Sequence, residues 1–194
     1  LGRFDYGPAE CFEFHEAVAE TVVPLLNEAA SKRKEEMGLD ALKPWDKAVD
    51  PLGRGPLKPF ETGEELLEKT IEVFDEMDPF LGNCLKEMVT LDRFDLDSRK
   101  GKNPGGYNYP LEETGYPFIF MNAAGTVRDV VTLLHEGGHA VHSILTKDLA
   151  LNSFRNFPSE VAELASMSME LMTMDRWGNY FSNPEEAKRA KIKH

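Results

Sequence analysis

The sequence predicts a mainly α-helical fold with a small β element. Apolar residues recur at helical spacing in several long segments, and prolines and glycines separate these segments. Only residues 116–121 combine aromatic and β-branched side chains in the manner of a strand. The chain has 194 residues, of which 41% are hydrophobic, enough for the core of one domain or of a piece of a larger one.

Residues 1–93 form the first predicted portion, which is helical. Three helices are expected in it, over residues 8–38, 62–77 and 79–91. Pro24 is expected to kink or split the first of them, because proline removes a backbone donor. Residues 42–59 contain four prolines and two glycines, which predicts a loop or an edge strand.

The rest of the chain alternates loop, strand and helix. Residues 94–124 are predicted to be a glycine-rich loop with short strands, the clearest over 116–121. Residues 125–182 hold two predicted helices, 126–147 and 158–181, and Pro158 suits the first turn of the second. The charged residues 183–194 predict a solvated terminal helix.

Composition limits the partners and the compartment. The net charge of −12 argues against nucleic acid and anionic membranes as partners. Cys11 and Cys84 lack metal-ligand spacing and are interpreted as reduced thiols, which favours a cytoplasmic location. No apolar run reaches the ~18 residues of a membrane span, and no signal peptide is visible. Because the chain begins with leucine, we expect it to start inside a longer protein or after a removed tag.

The segment His135-Glu136-Gly137-Gly138-His139 carries the clearest functional signal. Two histidines four residues apart lie on one face of a helix, where two imidazoles can bind one zinc ion. Glu136 is rotated by about 100° from His135, so it would lie beside the ion and could take a proton from water. The flanking apolar residues bury the motif, and buried polar groups need partners. The motif predicts a zinc site with Glu136 as general base.

A hydrolytic zinc site also needs a third protein ligand. The next predicted helix offers Glu160, Glu163 and Glu170. Spacing alone leaves Glu160 and Glu163 nearly tied, and the small residues around Glu163 would let two helices approach closely. The carboxylates that do not bind the metal are expected to be solvated or to support the ligands.

His142 extends the histidine stripe but lies about 10 Å along the axis from His135, too far to join both histidines on one ion. It is a candidate for substrate binding or hydrogen-bond support. A buried structural histidine is an equal alternative.

These motifs, in this order, resemble the thimet oligopeptidase and oligoendopeptidase F family of zinc peptidases. The family pattern H-E-x-G-H-x-x-H matches residues 135–142, and the Glu-Val-Ala-Ser around its third ligand resembles Glu163-Leu164-Ala165-Ser166 in the oligoendopeptidase F branch. Gly105, Gly106 and Tyr107 resemble the glycine-rich loop of the family. The stretch 116–130 resembles the strand and turn before its zinc helix.

The resemblance implies a zincin-type core in which an HExxH helix and a downstream Glu helix bind zinc through His135, His139 and Glu163. It implies that Glu136 is the general base and that short peptides are cleaved internally. Tyrosine and histidine residues that stabilise the oxyanion in the family would lie beyond His194. We therefore expect a single partial catalytic domain over residues 1–194, part of a larger helical oligopeptidase and weak or inactive alone.

Substrate-binding residues are predicted less directly. A peptide could pair with the edge of the strand at 117–121, with Ala124 and Gly125 leaving room for its backbone. The alternative is a strand internal to a small sheet. Gly137 departs from the family, where a bulky residue is usual. It is expected either to open space for substrate or for a neighbouring helix, or to mark a divergent branch of the family.

Two other functions remain open. A metallocarboxypeptidase would need a basic group for the substrate carboxylate, for which the candidates are Arg99, Lys100, Lys102 and Arg155. A catalytically silent, metal-stabilised helical domain would bind the ion without turnover. The sequence leaves the oligomeric state open.

Overall fold

The computed structural model describes residues 6–194 and confirms the mainly α-helical fold with a small β element. The described residues form two compact units, one that ends at Pro56 and one from Leu57 to His194. Within the described residues, no helix has both the length and the apolar character required to cross a bilayer. The single partial catalytic domain over residues 1–194 stays a prediction.

The first unit consists of helix α1, Pro8–Glu36, followed by a short 3-10 turn, Pro44–Lys47. Pro24 does not split α1. Arg33 donates from Nη2 to Asp46 O over 2.8 Å and also contacts Val49 O, which fastens the turn to the helix. Residues 42–59 contain no strand, so the loop alternative is correct for this segment.

The second unit contains the remaining helices: α2 Gly63–Met77, α3 Pro79–Thr90, α4 Val127–Thr146, α5 Ser159–Met172 and α6 Pro184–Lys193. Side-chain caps fix where α2 and α3 begin. Thr62 Oγ1 accepts from Glu65 N over 3.1 Å, and Asp78 Oδ1 accepts from Phe80 N over 2.8 Å. The side chain of Cys84 is buried in α3, and burial raises its pKa to about 11.

Three short strands form one sheet in the order β1-β3-β2: β1 Phe94–Asp97, β2 Tyr107–Tyr109 and β3 Phe118–Ala123. The central strand β3 runs parallel to β1 and antiparallel to β2. It begins two residues later than predicted, because Gly115 has a left-handed φ of 71° and Pro117 cannot donate to the ladder. Since β1 and β2 pair with the two edges of β3, the prediction that a peptide pairs with this strand is wrong. Strand β2 lies at one edge of the sheet.

Two predictions about the C-terminal region are also wrong in detail. Pro158 precedes α5 instead of starting it, and α5 ends at Met172, followed by a 3-10 helix, Met174–Tyr180. Thr173 Oγ1 donates to Met169 O over 2.6 Å and accepts from Trp177 Nε1 over 3.3 Å. These bonds close the α-helix and place the Trp177 indole in the core. The last helix, α6, is not fully solvated, because Ala187 and Ala190 are buried.

Helix α4 lies at the centre of the second unit, and its two adjacent glycines mark close contacts with neighbouring helices. A Cβ on Gly138 would lie 2.7 Å from Ser166 Cα and 2.9 Å from Ala165 O, so α5 approaches α4 backbone to backbone. A Cβ on Gly137 would lie 2.8 Å from Cζ of Phe74 in α2. Among the explanations considered for Gly137, this contact supports space for a neighbouring helix.

We expect Gly138→Ala to lower the free energy of unfolding by about 1–3 kcal/mol, because the new methyl group meets backbone atoms that cannot rotate away. This loss exceeds the ~1 kcal/mol that alanine gains over glycine in a helix. Urea unfolding followed by circular dichroism measures the change. The control is Gly178→Ala, whose Cβ would meet nothing within 4 Å. A Gly138→Ala protein as stable as the control would contradict the expected contact.

Gly137→Ala is expected to destabilise less, since the neighbour is the far end of the Phe74 ring and not backbone. Replacing Phe74 with leucine should remove the clash. The double variant Gly137→Ala/Phe74→Leu is therefore expected to be more stable than the sum of the two single changes predicts, by about 0.5–3 kcal/mol. A double-mutant cycle in urea that gives strict additivity would refute the contact.

Candidate metal centre

The turn between β3 and α4 fixes where the histidine helix begins. Gly125 adopts a left-handed φ of 84°, and Thr126 caps α4. Asp129 Oδ2 accepts from Ala124 N over 3.0 Å and from Thr126 N over 2.8 Å. The structure therefore places Ala124 and Gly125, which were candidates for substrate binding, in the turn that leads into α4.

Three predicted ligands come together in the second unit. His135 Nε2 lies 3.2 Å from Glu163 Oε2, and His139 Nε2 lies 3.8 Å from the same oxygen. One nitrogen of each histidine and one oxygen of Glu163 all lie within 4.8 Å of one another. Helix α4 supplies both histidines and α5 supplies the carboxylate, so the close approach at Gly138 brings the group together. Glu160 is not a member of this group.

Neighbouring side chains hold two of the three groups in place. Buried Ser166 donates to Glu163 Oε2 over 3.0 Å. Glu170 Oε1 lies 2.6 Å from His135 Nδ1, and Glu170 Oε2 lies 3.4 Å from His194 Nε2. Because Glu170 engages Nδ1 of His135, the lone pair of Nε2 is left on the side that faces Glu163. Glu170 thus lies beside His135, and its role in supporting a ligand stays a prediction.

Glu136 is buried beside this group, with 7% of its surface exposed. Strand β2 lies beside α4, since Asn108 Nδ2 donates to Ser143 Oγ of α4 over 3.5 Å. Burial raises the pKa of Glu136 above its ordinary value, the nearby Glu163 charge raises it further, and His135 and the Asn108 N–H oppose the rise. A carboxylate with a raised pKa is a stronger base than an exposed carboxylate and is better suited to accept a proton.

The remaining histidines of the stripe also lie in a desolvated environment. Burial lowers the pKa of His139, which favours the neutral imidazole that metals bind. His142 stacks on Phe157, with ring centroids 3.9 Å apart, and burial lowers its pKa as well. Its Nδ1 is buried without a hydrogen-bond partner among the described residues. His142 lies near enough to His139 to lower the pKa of that imidazole, and it is not a member of the three-residue group.

The other predicted loop residues lie beside the sheet. Gly105 has a left-handed φ of 106°, and a Cβ on Gly106 would lie 3.2 Å from Thr132 Cγ2 of α4. Tyr107 in β2 stacks on Phe120 of β3, with centroids 5.0 Å apart. These residues connect the glycine-rich loop to the sheet and to α4.

Three of the four basic residues considered for carboxylate capture have acidic partners. Arg99 and Lys102 both contact Asp95, and Arg155 Nη1 lies 3.0 Å from Glu112 Oε2. A metallocarboxypeptidase therefore gains no support from these three side chains.

Several residues around the site were not identified from the sequence. Asn108 contributes a backbone N–H, which every residue except proline has, so no sequence signal marks it. Ser166 was noted only for its small size. Phe74 and His194 are brought to the site by helices α2 and α6, and no spacing rule connects them to His135.

Comparison with known proteins agrees with these motifs. The profile of peptidase family M3 matches residues 2–194. The chain is 29% identical over 161 residues to the group B oligopeptidase PepB of Streptococcus agalactiae, covering 81% of the chain and 26% of that protein. It is 28% identical over 170 residues to oligopeptidase PepF of Bacillus subtilis, covering 88% and 24%.

Solved structures give the same result. PZ peptidase A with inhibitor 2 superposes with a TM-score of 0.92 at 30% identity, over 100% of this chain and 34% of that one. A putative oligoendopeptidase F from Bacillus anthracis gives a TM-score of 0.90 at 27% identity, over 99% and 35%. The chain spans about a quarter of the length of PepB and PepF and about a third of these structures. Since the profile matches the chain from residue 2 to residue 194, the chain belongs to peptidase family M3.

Proposed function

We propose that this chain carries the zinc ligands and the general base of an endopeptidase that cleaves short peptides. The observation that carries the proposal is the group formed by His135, His139 and Glu163, with buried Glu136 beside it. The relatives PepB and PepF are oligopeptidases by name, which supports a short peptide as the substrate.

Two of the three distances between the proposed ligand atoms are close to the spacing around a zinc ion. Zinc bonds nitrogen and oxygen ligands at about 2.0–2.2 Å in tetrahedral geometry, so two ligand atoms on one ion lie about 3.3–3.6 Å apart. The Glu163 oxygen lies 3.2 Å and 3.8 Å from the two histidine nitrogens, close to that range. Two imidazoles and one carboxylate are a ligand set that catalytic zinc sites use.

The charges of the site also fit a divalent cation. Glu136, Glu163 and Glu170 bring three carboxylates close together, and the ion pairs of Glu163 and Glu170 in the described structure are all with histidines. With both metal-site histidines neutral, the three carboxylates would repel one another in a partly buried site. A cation bound by His135, His139 and Glu163 would offset this repulsion.

Zinc, when bound, supplies a Lewis acid that acidifies water and polarises a carbonyl oxygen. The protein's own contribution to the reaction is then proton transfer. Glu136 takes a proton from the attacking water and passes it to the leaving amine. Glu170 keeps His135 oriented through Nδ1.

The edge of β2 is the surface that we propose for the substrate backbone. Because β3 lies on one side of β2, the other side is the outer edge of the sheet. The hydrogen bond from Asn108 Nδ2 to Ser143 Oγ holds β2 beside α4, the helix that carries Glu136. An extended peptide that pairs with this edge would lie beside the general base. This assignment replaces the pairing with residues 117–121.

Substitution of the acidic residues separates the proposed roles. In the full-length protein, Glu136→Gln is expected to lower kcat by about 10²–10⁴-fold while zinc stays bound. Glu163→Gln should weaken zinc affinity by at least ~100-fold, whereas Glu160→Gln, one turn away, should not. Metal analysis after dialysis and cleavage of a fluorogenic peptide measure both effects. Full activity of Glu136→Gln would exclude it as the base, and unchanged zinc binding by Glu163→Gln would exclude it as a ligand.

A modified substrate tests the β2 edge. Methylation of the one peptide nitrogen that pairs with β2 should lower kcat/KM by about tenfold, because a backbone hydrogen bond contributes about 0.5–1.5 kcal/mol and the methyl group also obstructs pairing. A scan of N-methylated peptides, one position at a time, measures this. Equal cleavage of every methylated peptide would rule out backbone pairing.

A further inference from the structure

The loop that connects β1 to β2 has little intrinsic reason to hold one conformation. Residues 98–106 contain three glycines, and Gly101 and Gly105 both adopt left-handed φ angles, 85° and 106°. Glycine loses more conformational freedom on ordering than any other residue. Since β2 has only three residues, its position beside Glu136 depends on how this loop is fixed.

Lys102 is a buried cation in the middle of that loop. Only 1% of its side chain is exposed. Its Nζ donates to Asp95 O, Asp95 Oδ1 and Asp97 O, each over 2.9 Å, which uses all three ammonium hydrogens. It also lies 4.5 Å above the ring centroid of Phe120. A lysine is almost never buried unless it is paired, so this arrangement fastens the loop to β1 and to the face of β3.

A second side chain holds the following part of the loop. Asn122 of β3 donates from Nδ2 to Asn103 O and to Gly105 O, both over 2.9 Å. Phe120, which lies under the Lys102 ammonium, stacks on Tyr107 at an interplanar angle of 9°. Lys102 therefore contacts Phe120 of β3, which in turn contacts Tyr107 of β2.

We propose that Lys102 is a positioning residue, which fixes the β2 edge beside Glu136 by fastening the loop 98–106 to β1 and β3. It does not touch the reacting atoms and does not capture a substrate carboxylate. The proposal rests on the proposed peptidase function only where it assigns the β2 edge to the substrate. The placement of β2 itself can be tested without activity.

Arg99 does not provide the same restraint. It pairs with Asp95 from outside, with 59% of its side chain exposed, and exposed ion pairs contribute little. Lys100 is exposed in the same loop and provides a matched control. Lys102→Met removes the ammonium group but keeps most of the aliphatic stem. Lys100→Met also removes a positive charge from the loop but leaves the hydrogen bonds of Lys102 intact.

Hydrogen–deuterium exchange of the full-length protein tests the placement. In Lys102→Met the amides of residues 103–109 are expected to exchange at least ~10-fold faster, with α4 amides unchanged. Asn122→Ala should give the same local effect through its separate contacts, and Lys100→Met should match the wild type. Unchanged exchange of residues 103–109 in Lys102→Met, or an equal rise throughout α4, would overturn the proposal; the second result would show a role in general stability only.

Steady-state kinetics tests the consequence for substrate. In Lys102→Met the KM for a short peptide should rise at least ~5-fold with a smaller change in kcat, because an unfixed edge binds the peptide backbone less well. Faster exchange of residues 103–109 with unchanged KM and kcat would overturn the link between this loop and the site. If the wild-type protein cleaves no peptide, the proposed function fails, and the exchange experiment still decides whether Lys102 fixes β2.

Discussion

The close approach of α4 and α5 at Gly138 is the constraint on which the site depends. Helices with ordinary side chains at their contact lie 8–10 Å apart. Here Gly138 of α4 has no side chain and faces the backbone of Ser166 on α5. The space between them is too small for a methyl group. The two histidines and Glu163 come from different helices, so this distance sets how far the carboxylate lies from the imidazoles. Ser166 then acts twice, as the contact point and as a donor to Glu163.

This constraint also explains how much of the site was predictable. The pairing of His135 with His139 follows from helix geometry alone, because both lie on one element. Glu163 is different: sequence spacing gives each glutamate's position along α5 but not the rotation of α5 about its axis relative to α4. Glu160 and Glu163 were therefore tied until the family resemblance favoured Glu163. The structure brings Glu163 to the histidines, at 3.2 and 3.8 Å.

The questions that the sequence left open and the boundaries that it predicted wrongly have the same origin in contacts between distant segments. The side chain that fills the space beside Gly137 belongs to Phe74, in a helix far earlier in the chain. The end of α5 depends on the Thr173 hydroxyl, which accepts from the indole of buried Trp177. The register of β3 depends on Pro117 and on pairing with β1 as far as Ala123. Helix and strand content follow from local patterns, whereas these boundaries depend on tertiary partners.

The buried side chain of Lys102 bears on how the surroundings of Glu136 are held in place. Glu136 is a carboxylate in a desolvated position, and burial without a donor would cost several kcal/mol. The Asn108 N–H, which lowers the pKa of this carboxyl group and so favours its charged form, is carried by a strand of three residues at the end of a glycine-rich loop. Such a strand is too short to fix its own position. The ammonium of Lys102 and the amide of Asn122 bind this loop by hydrogen bonds, so two polar groups outside the candidate metal centre would set the surroundings of Glu136, the proposed general base.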